Sequence, residues 1–562
     1  MKIKSLSICF AFLLLSVVTY SQSDYVMLGS RQYAVLDRLE IKLQRDSILN
    51  FSAIKPYSRK VVTERLEHIN ELAAQGKISL SKADKYNIDL ILKDNFEYTK
   101  AFAGKDTTLK LKDIFSKKVL TNPPYIGVKR GDFSLYATAY LNITTGKDNQ
   151  LANRLFNNAR GIYIRGTLTK NLGYYSYLNE NQERDPLYVQ QFEDKFSAVP
   201  GEGYYKDNFK GDGYDIFNAR GGIMFKAGKG IDMQFAYDKV FIGNGFRSLI
   251  LSDFSNNFLF FKINARMWKF NYHILYTQMV RTYKRTTDYL RPQKFMAFHQ
   301  LDIQATKWLN IGLYENVMFG RSSGFELTYL NPIIFYRAAE IQNGSPDKVT
   351  IGLNAKANIF KNTQLYGQFV LNEFVLSAIT NYSSGSHVNK QAVQIGGKSI
   401  DVFGIKNLDV QAELNIIRPF VYSHWDTTGT FTHYNQPLAH PLGANLREFI
   451  ALVRFQPIPK LQLVAKVITY KQGLDSAGRN FGASPFRLYT DRPRNEGFFI
   501  GSGIPANGLL ASFTASYELV PNLFLDAHAT IRNYKKQGSA DFNTKIYSFG
   551  FRLNLQRREF DF

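Results

Sequence analysis

Residues 243–275 read GNGFRSLILSDFSNNFLFFKINARMWKFNYHIL, and the second half of this stretch decides the fold. Phe261, Ile263, Ala265 and Met267 alternate with Lys262, Asn264 and Arg266. After Met267 the phase flips: Trp268, Phe270, Tyr272 and Ile274 are apolar, with Lys269, Asn271 and His273 between them. Alternation with period two gives a β-strand one apolar and one polar face. A flip between two such runs marks a hairpin that keeps the same face inward. Met-Trp is poor turn chemistry, so a bulge is the alternative.

The same pattern recurs from about residue 132 onward. Leu408, Val410, Ala412, Leu414 and Ile416 alternate with Asp409, Gln411, Glu413 and Asn415, and residues 301–305, 231–235 and 523–531 behave alike. A soluble sandwich and a membrane barrel both alternate, so the connections must decide. Tight turns are expected near 169–171, 227–230, 267–268, 306–308, 361–363, 418–419, 457–459 and 520–522. Between them run nine longer connections, 144–160, 179–215, 239–257, 278–296, 319–348, 376–400, 426–446, 471–507 and 534–543. Eight tight turns and nine loops join eighteen strands of about 9–11 residues, the length and even count of a single-chain outer-membrane barrel. The fold class is therefore all-β transmembrane: an antiparallel outer-membrane β-barrel of about 18 strands, preceded by a small periplasmic α-helical domain. The last strand is expected at 545–555, with Tyr547, Phe549, Phe551, Leu553 and Leu555 toward lipid and 556–562 running past its end.

Three segments are expected: a signal peptide at 1–21, a helical domain at 22–120 and the barrel at 121–562. Lys2 and Lys4 precede an apolar run from Leu6 to Val18, followed by small residues before Gln22, the pattern of an export signal. Mean hydropathy is slightly negative, and no later run is long and apolar enough for a membrane helix. The only cysteine, Cys9, lies inside the leader, so no disulfide framework is expected. In 22–120, Ser58 and Ser81 stand at helix-starting positions and Gly76 at a helix end, with a further helix over 35–43. Removing the leader leaves 68 basic against 47 acidic residues, a net charge of +21.

Three loop segments carry more specific wording: 243–253 (GNGFRSLILSD), 329–340 (YLNPIIFYRAAE) and 434–448 (YNQPLAHPLGANLRE). With the leader, the helical domain and the barrel, these resemble the Wzi capsule-assembly family, most closely its branch of gliding motility RemB proteins. The resemblance implies an outer-membrane barrel with a periplasmic helical bundle. It further implies a lectin-like role in attaching or assembling capsular or exopolysaccharide, support of gliding motility, and no catalytic activity. The long loops then lie at the cell surface, and periplasmic or motility-machinery proteins are candidate partners.

The residues themselves are compatible with a glycan partner. Aromatic faces and fixed polar groups bind sugars, and arginine reads carboxylate or phosphate on an acidic glycan. A strongly basic chain also suits lipopolysaccharide phosphates, and charge alone does not choose between the two. Arg247, Ser248, Asp253, Tyr329, Asn331, Arg337, Glu340, His440, Asn445, Arg447 and Glu448 are the candidate ligand-binding residues. The alternative is that Arg247, Arg337 and Arg447 pair with Asp253, Glu340 and Glu448 to lock loops, because charges inside a lumen need partners. Asn331-Pro332 and His440-Pro441 would stiffen two loops. Whether loops 239–257, 319–348 and 426–446 meet inside the barrel separates a plugged barrel from the alternative function, a passive porin or uptake channel.

No catalytic residue, metal or cofactor is expected. Gly320-Arg321-Ser322-Ser323-Gly324 matches G-x-S-x-G but lacks the strand–turn–helix setting of a nucleophile. His424, His433 and His440 share a loop with Asp426 at no standard zinc spacing. Nucleic acid is a poor partner for an exported barrel.

Overall fold

The computed structural model describes residues 23–46, 48–102, 105–109, 124–283, 289–322, 324–373 and 382–562. The expected leader and the expected boundary at 120–121 lie outside these residues.

The N-terminal region is helical, as its caps indicate. Helix α1 spans Gln32–Leu43, α2 Arg59–Ala74 and α3 Lys82–Asp94. The Ser58 hydroxyl accepts from the Val61 N–H, and Ser81 with Asp84 forms a reciprocal capping box. Gly76, at φ +71°, follows α2 in the left-handed region that lets a helix end. Leu36, Leu39, Val62, Leu66, Ile69, Ile88 and Ile91 form the small core between the helices.

Among the described residues, eighteen antiparallel strands close into a barrel. They are β1 Phe133–Asp148, β2 Leu155–Thr169, β3 Leu172–Arg184, β4 Gly213–Gly228, β5 Ile231–Asp238 and β6 Phe258–Met267. Next come β7 Phe270–Val280, β8 Gln293–Gln304, β9 Leu309–Phe319, β10 Lys348–Ile359, β11 Thr363–Leu371 and β12 Gln391–Ser399. The last six are β13 Leu408–Ile417, β14 Leu446–Ile458, β15 Leu461–Leu474, β16 Ile504–Val520, β17 Leu523–Lys536 and β18 Phe542–Leu553. The seam pairs β18 with β1, from Ile546 opposite Asp148 to Leu553 opposite Leu141. Closure satisfies every ladder and leaves no edge, the condition for a sheet in lipid. No helix among the described residues is long and apolar enough to cross a membrane.

The opening stretch resolves into β6, a turn and β7. Met267 pairs with Phe270 across a two-residue connection in which Trp268 adopts φ +53°. It is a hairpin turn, not a bulge, and a tryptophan bears the positive φ. Lys262, Asn271 and His273 are buried on the lumen side, as the alternation requires.

Several expectations fail. The connection near 418–419 is not a tight turn: the turn is 400–407, between β12 and β13. Strand β12 falls within the connection expected at 376–400, because its outward face carries few apolar groups and its inward face includes Gly396. A Cβ on Gly396 would lie 2.4 Å from the Tyr366 ring, so the glycine accommodates that ring and erases the alternation. Strand length also departs from expectation, ranging from 8 residues in β5 to 17 in β16. Much of the loop expected at 144–160 is in fact ladder between β1 and β2.

The helical region seats on the tight-turn end of the barrel. Arg38 bonds Asp84 at 2.8 Å and Asp401 at 2.6 Å, and also reaches Asp409. Lys398 meets Asp37 at 2.6 Å, Lys356 meets Glu40 at 2.6 Å, and Asn87 donates to Gln456 at 2.8 Å. From there, residues 49–57 climb inside the barrel, where Ile54–Lys55 pairs antiparallel with Phe241–Ile242.

Candidate functional site

The loop between β5 and β6 folds into the lumen, and its glycines show why. A Cβ on Gly243 would lie 2.5 Å from Gln368 of β11, and one on Gly245 would lie 2.5 Å from Glu413 of β13. Glycine lets the backbone press this closely on the wall without displacing those side chains. Glu413 accepts from the N–H groups of Phe246 (2.7 Å) and Arg247 (3.0 Å), and Gln368 accepts from Leu249 N–H at 2.8 Å. Ser248 accepts from Ile250 and Leu251 N–H, both at 3.1 Å, turning the chain.

Arg247 is the centre of a buried lock. Its guanidinium donates to Glu448 of β14 (3.0 Å) and to the Asp561 carboxylate (2.9 Å). Glu448, fully buried, also accepts from His440 at 2.7 Å and Asn415 at 3.0 Å. Asp561 belongs to segment 556–562. This segment turns back from the end of β18 into the lumen instead of continuing past the strand. There Lys466 contacts Glu559 and, at 3.2 Å, Asp561. Arg558 pairs with Glu183, and Tyr188 donates to the Phe560 carbonyl at 2.6 Å. Burial raises the Glu559 carboxyl, but Lys466 and Arg557 more than offset this and hold it at about 2.

The loop between β13 and β14 also folds inward. Asn445, at φ +60°, donates to the Gly473 and Ser502 carbonyls and accepts from Gly501 N–H. Tyr422 donates to the Leu249 carbonyl at 3.1 Å, tying this loop to the first. His433 accepts from Val280 N–H at 3.0 Å and its other ring nitrogen bonds the Asn257 carbonyl at 2.9 Å. Burial lowers His433 to about 4. The three histidines of this loop thus have separate partners, His424 taking Asp426 at 2.9 Å. No metal-binding group of His, Cys, Asp or Glu exists among the described residues. Along the lumen wall, the space beneath segment 556–562 measures about 130 Å³ and that beside the helical region about 90 Å³.

The third loop, between β9 and β10, goes the other way and lies on the outer wall of the barrel. His299 of β8 and Glu315 of β9 sit opposite each other in the register, on the outward face among Phe295, Ala297, Val317 and Phe319. The loop covers them. After α4, Leu187–Phe196, in the β3–β4 connection, helix α5, Tyr336–Gln342, begins against Glu315, whose carboxylate accepts from Tyr336 N–H (2.6 Å) and Arg337 N–H (2.8 Å). His299 stacks on Tyr336 with ring centroids 4.3 Å apart. A lipid-facing carboxylate is thereby satisfied by a helix N-terminus. Tyr329, fully buried, donates to Asp347 at 2.8 Å, and Arg321 grips the same carboxylate at 2.6 Å, closing the loop's base. Tyr276 donates to the Leu330 carbonyl at 2.8 Å and Tyr272 to that of Pro332.

Beside α5, at the loop end of the barrel, is a cleft of about 580 Å³. Trp425, Tyr489 and Phe335 supply aromatic faces, and Arg337, Glu340, Glu373 and His424 supply polar groups. Burial lowers His424 against its bond with Asp426. Burial raises Asp426, but the bonds from His424 and Gly429 N–H outweigh it and hold the carboxyl at about 2.

The eleven candidate residues therefore divide. Arg247, His440 and Glu448 meet in the lumen lock, while Ser248 turns the first inward loop and Asn445 ties the second to Gly473, Gly501 and Ser502. Tyr329, Asn331, Arg337 and Glu340 belong to the outer loop, where Arg337 pairs with Glu340 and Asn331 accepts from Ile333 N–H at 3.1 Å. Arg447 faces outward, away from its neighbour Glu448, and the Asp253 side chain is exposed while its carbonyl accepts from Lys239 at 3.0 Å. Of the expected pairs, Arg337 with Glu340 forms; Arg247 takes Glu448 and Asp561 in place of Asp253. Sequence reasoning missed Trp425, Tyr489, His299 and Glu315. The last two were visible as charges in outward-facing register positions.

No family model matches the chain, and no curated protein matches it by sequence. Among solved structures, it is similar to Wzi of Escherichia coli, an outer membrane protein involved in group 1 capsule assembly and described as a carbohydrate-binding β-barrel. The TM-score is 0.55 at 12% identity, covering 96% of this chain and all (100%) of that one. OprD of Pseudomonas aeruginosa overlays with a TM-score of 0.41 at 11% identity, over 75% of this chain and 95% of that one. At 12% identity, what the chain shares with Wzi is the fold: an outer-membrane-type β-barrel.

Proposed function

We propose that this protein resides in the outer membrane and binds surface polysaccharide, helping to attach or assemble it, with its helical region in the periplasm. The observation that carries this reading is the division between a filled lumen and an open outer rim. Two inward loops, segment 556–562 and the helical region occupy the barrel, held by buried pairs such as Arg247 with Glu448 and Asp561. Solute passage would require breaking them. The rim cleft, by contrast, combines Trp425 and Tyr489 with Arg337, Glu340 and His424, the mixture of flat apolar and fixed polar groups that sugars require. The sequence resemblance to capsule-assembly proteins and the carbohydrate-binding description of Wzi support the same reading. A role in gliding motility rests on the sequence resemblance alone. The test is binding of capsular or exopolysaccharide purified from the source cells, measured for the wild type and for Trp425→Ala and Tyr489→Ala. Binding weakened at least tenfold in each variant is expected; no binding by the wild type overturns the proposal. Deleting the gene and scoring capsule retention and spreading on agar together separates capsule from motility roles.

A further inference from the structure

The cleft at the outer rim has a floor and a rim that belong to different solvents. Val349 and Ile351 occupy outward positions of β10, and Leu371 an outward position of β11; these are wall positions that alternate with lumen-facing Lys348, Thr350 and Val370. One side wall is Phe335 and α5, part of the loop that lies along the outer wall. That loop presents Leu330 (42% exposed), Ile333 (86%) and Phe335 (57%) outward. Exposing such side chains to water forgoes the gain of burying them, whereas at the level of lipid chains they are at home. Above the floor the chemistry changes to Arg337, Glu340, His424, Trp425 and Tyr489.

We propose that the cleft binds a glycolipid, its acyl chain along Val349, Ile351 and Leu371 and its saccharide headgroup against Trp425, Tyr489 and the polar rim. This rests on the polysaccharide-binding reading and sharpens it: the ligand is the lipid-linked end of a glycan, not a free sugar chain. Glu340 points the same way. Its residue is fully buried in the cleft wall, one carboxylate oxygen pairs with Arg337, and the other has no partner among the described residues. A buried acceptor without a donor is costly, and a sugar hydroxyl supplies one. Arg337, paired on one side and half exposed, keeps donors for a headgroup phosphate or carboxylate.

Tryptophan placement makes the test direct. The chain has three tryptophans; Trp268 and Trp308 lie in tight turns at the opposite end of the barrel. In the full chain carrying Trp268→Phe and Trp308→Phe, Trp425 is the sole reporter. This protein, in detergent micelles, is titrated with lipopolysaccharide from the source cells, with lipid-terminated surface polysaccharide, with the deacylated saccharide of each, and with phosphatidylglycerol. The expected result is a saturable fluorescence change with one or both intact glycolipids, weakened at least tenfold by deacylation and by Arg337→Ala, and absent with phosphatidylglycerol. Which intact probe responds identifies the source. Deacylated saccharide binding as tightly as intact glycolipid overturns the inference but leaves polysaccharide binding standing. Equal response to phosphatidylglycerol overturns it as well, reducing the cleft to a lipid contact. No response to either intact probe, with the polysaccharide assay of the preceding section positive, overturns the inference alone; both assays negative overturn both. A dimer by mass photometry that buries Ile333 and Phe335 would assign this face to a second copy and refute it.

Discussion

Replacing Arg247 with alanine removes the one cation that two buried carboxylates share. Glu448 is fully buried and the Asp561 side chain is 16% exposed, and Arg247 reaches them at 3.0 and 2.9 Å. After the substitution Glu448 retains His440 at 2.7 Å and Asn415 at 3.0 Å, while Asp561 retains Lys466 at 3.2 Å. Breaking a buried pair by deleting one partner costs about 3–5 kcal/mol, because a charge is left in a poorly solvating place. The remaining partners put the expectation near the lower end, about 3 kcal/mol. The cost falls on the plug and not on the barrel ladder, so it appears as local opening. At about 1.4 kcal/mol per tenfold, the open population rises roughly a hundredfold. Arg247→Lys keeps the charge but loses the forked geometry and should cost about half as much. Planar-bilayer recording reads this directly: a silent wild type, rare openings with Arg247→Lys, and frequent openings with Arg247→Ala. If Arg247→Ala conducts no more often than the wild type, and loops 239–257 and 418–445 stay equally protected in hydrogen exchange, the lock does not hold the plug.

Two further outcomes follow from other contacts. His433 is held at about 4 by burial, below the ordinary 6.5, so plug stability is fully present above about pH 6.5 and is lost as pH falls toward 4. The full loss is about 3 kcal/mol, and conductance should rise in that window; His433→Gln, which keeps one donor and one acceptor, should flatten the response, and an unchanged pH profile in the variant refutes the assignment. Glu315→Ala strips the start of α5 of its acceptor and should weaken the outer loop by about 1–3 kcal/mol, seen as faster proteolysis of 327–341 on intact cells; unchanged cleavage would mean the loop is held by its tyrosines alone.

Much of the barrel is legible because each strand separates two chemically distinct environments, lipid outside and a packed polar lumen inside. Residues 261–274 expose that contrast fully, and the turn between Met267 and Phe270 follows from it. β12 does not, because Gly396 yields its side-chain volume to Tyr366, a neighbour on another strand. The candidate site was legible only in part. The sequence shows that Arg247 needs a partner and offers Asp253 in the same loop. The real partners of Arg247 are 201 and 314 positions away. His299 and Glu315 break the outward apolar pattern on adjacent strands, a signal that something must cover them.

The sequence by itself determined the parity of most strands, the even count and hence the closed barrel, since alternation is a local property that the bilayer imposes wherever neighbouring strands do not override it. It also determined the helix caps at Ser58 and Ser81. Only the tertiary structure decided where the loops go. Loops 239–257 and 418–445 go inward, and 320–347 goes outward. The choice turns on which distant wall side chains, Glu413 and Gln368 inside or Glu315 outside, offer acceptors to the loop's N–H groups. Such desolvated pairings balance only when both partners are already held by the assembled sheet.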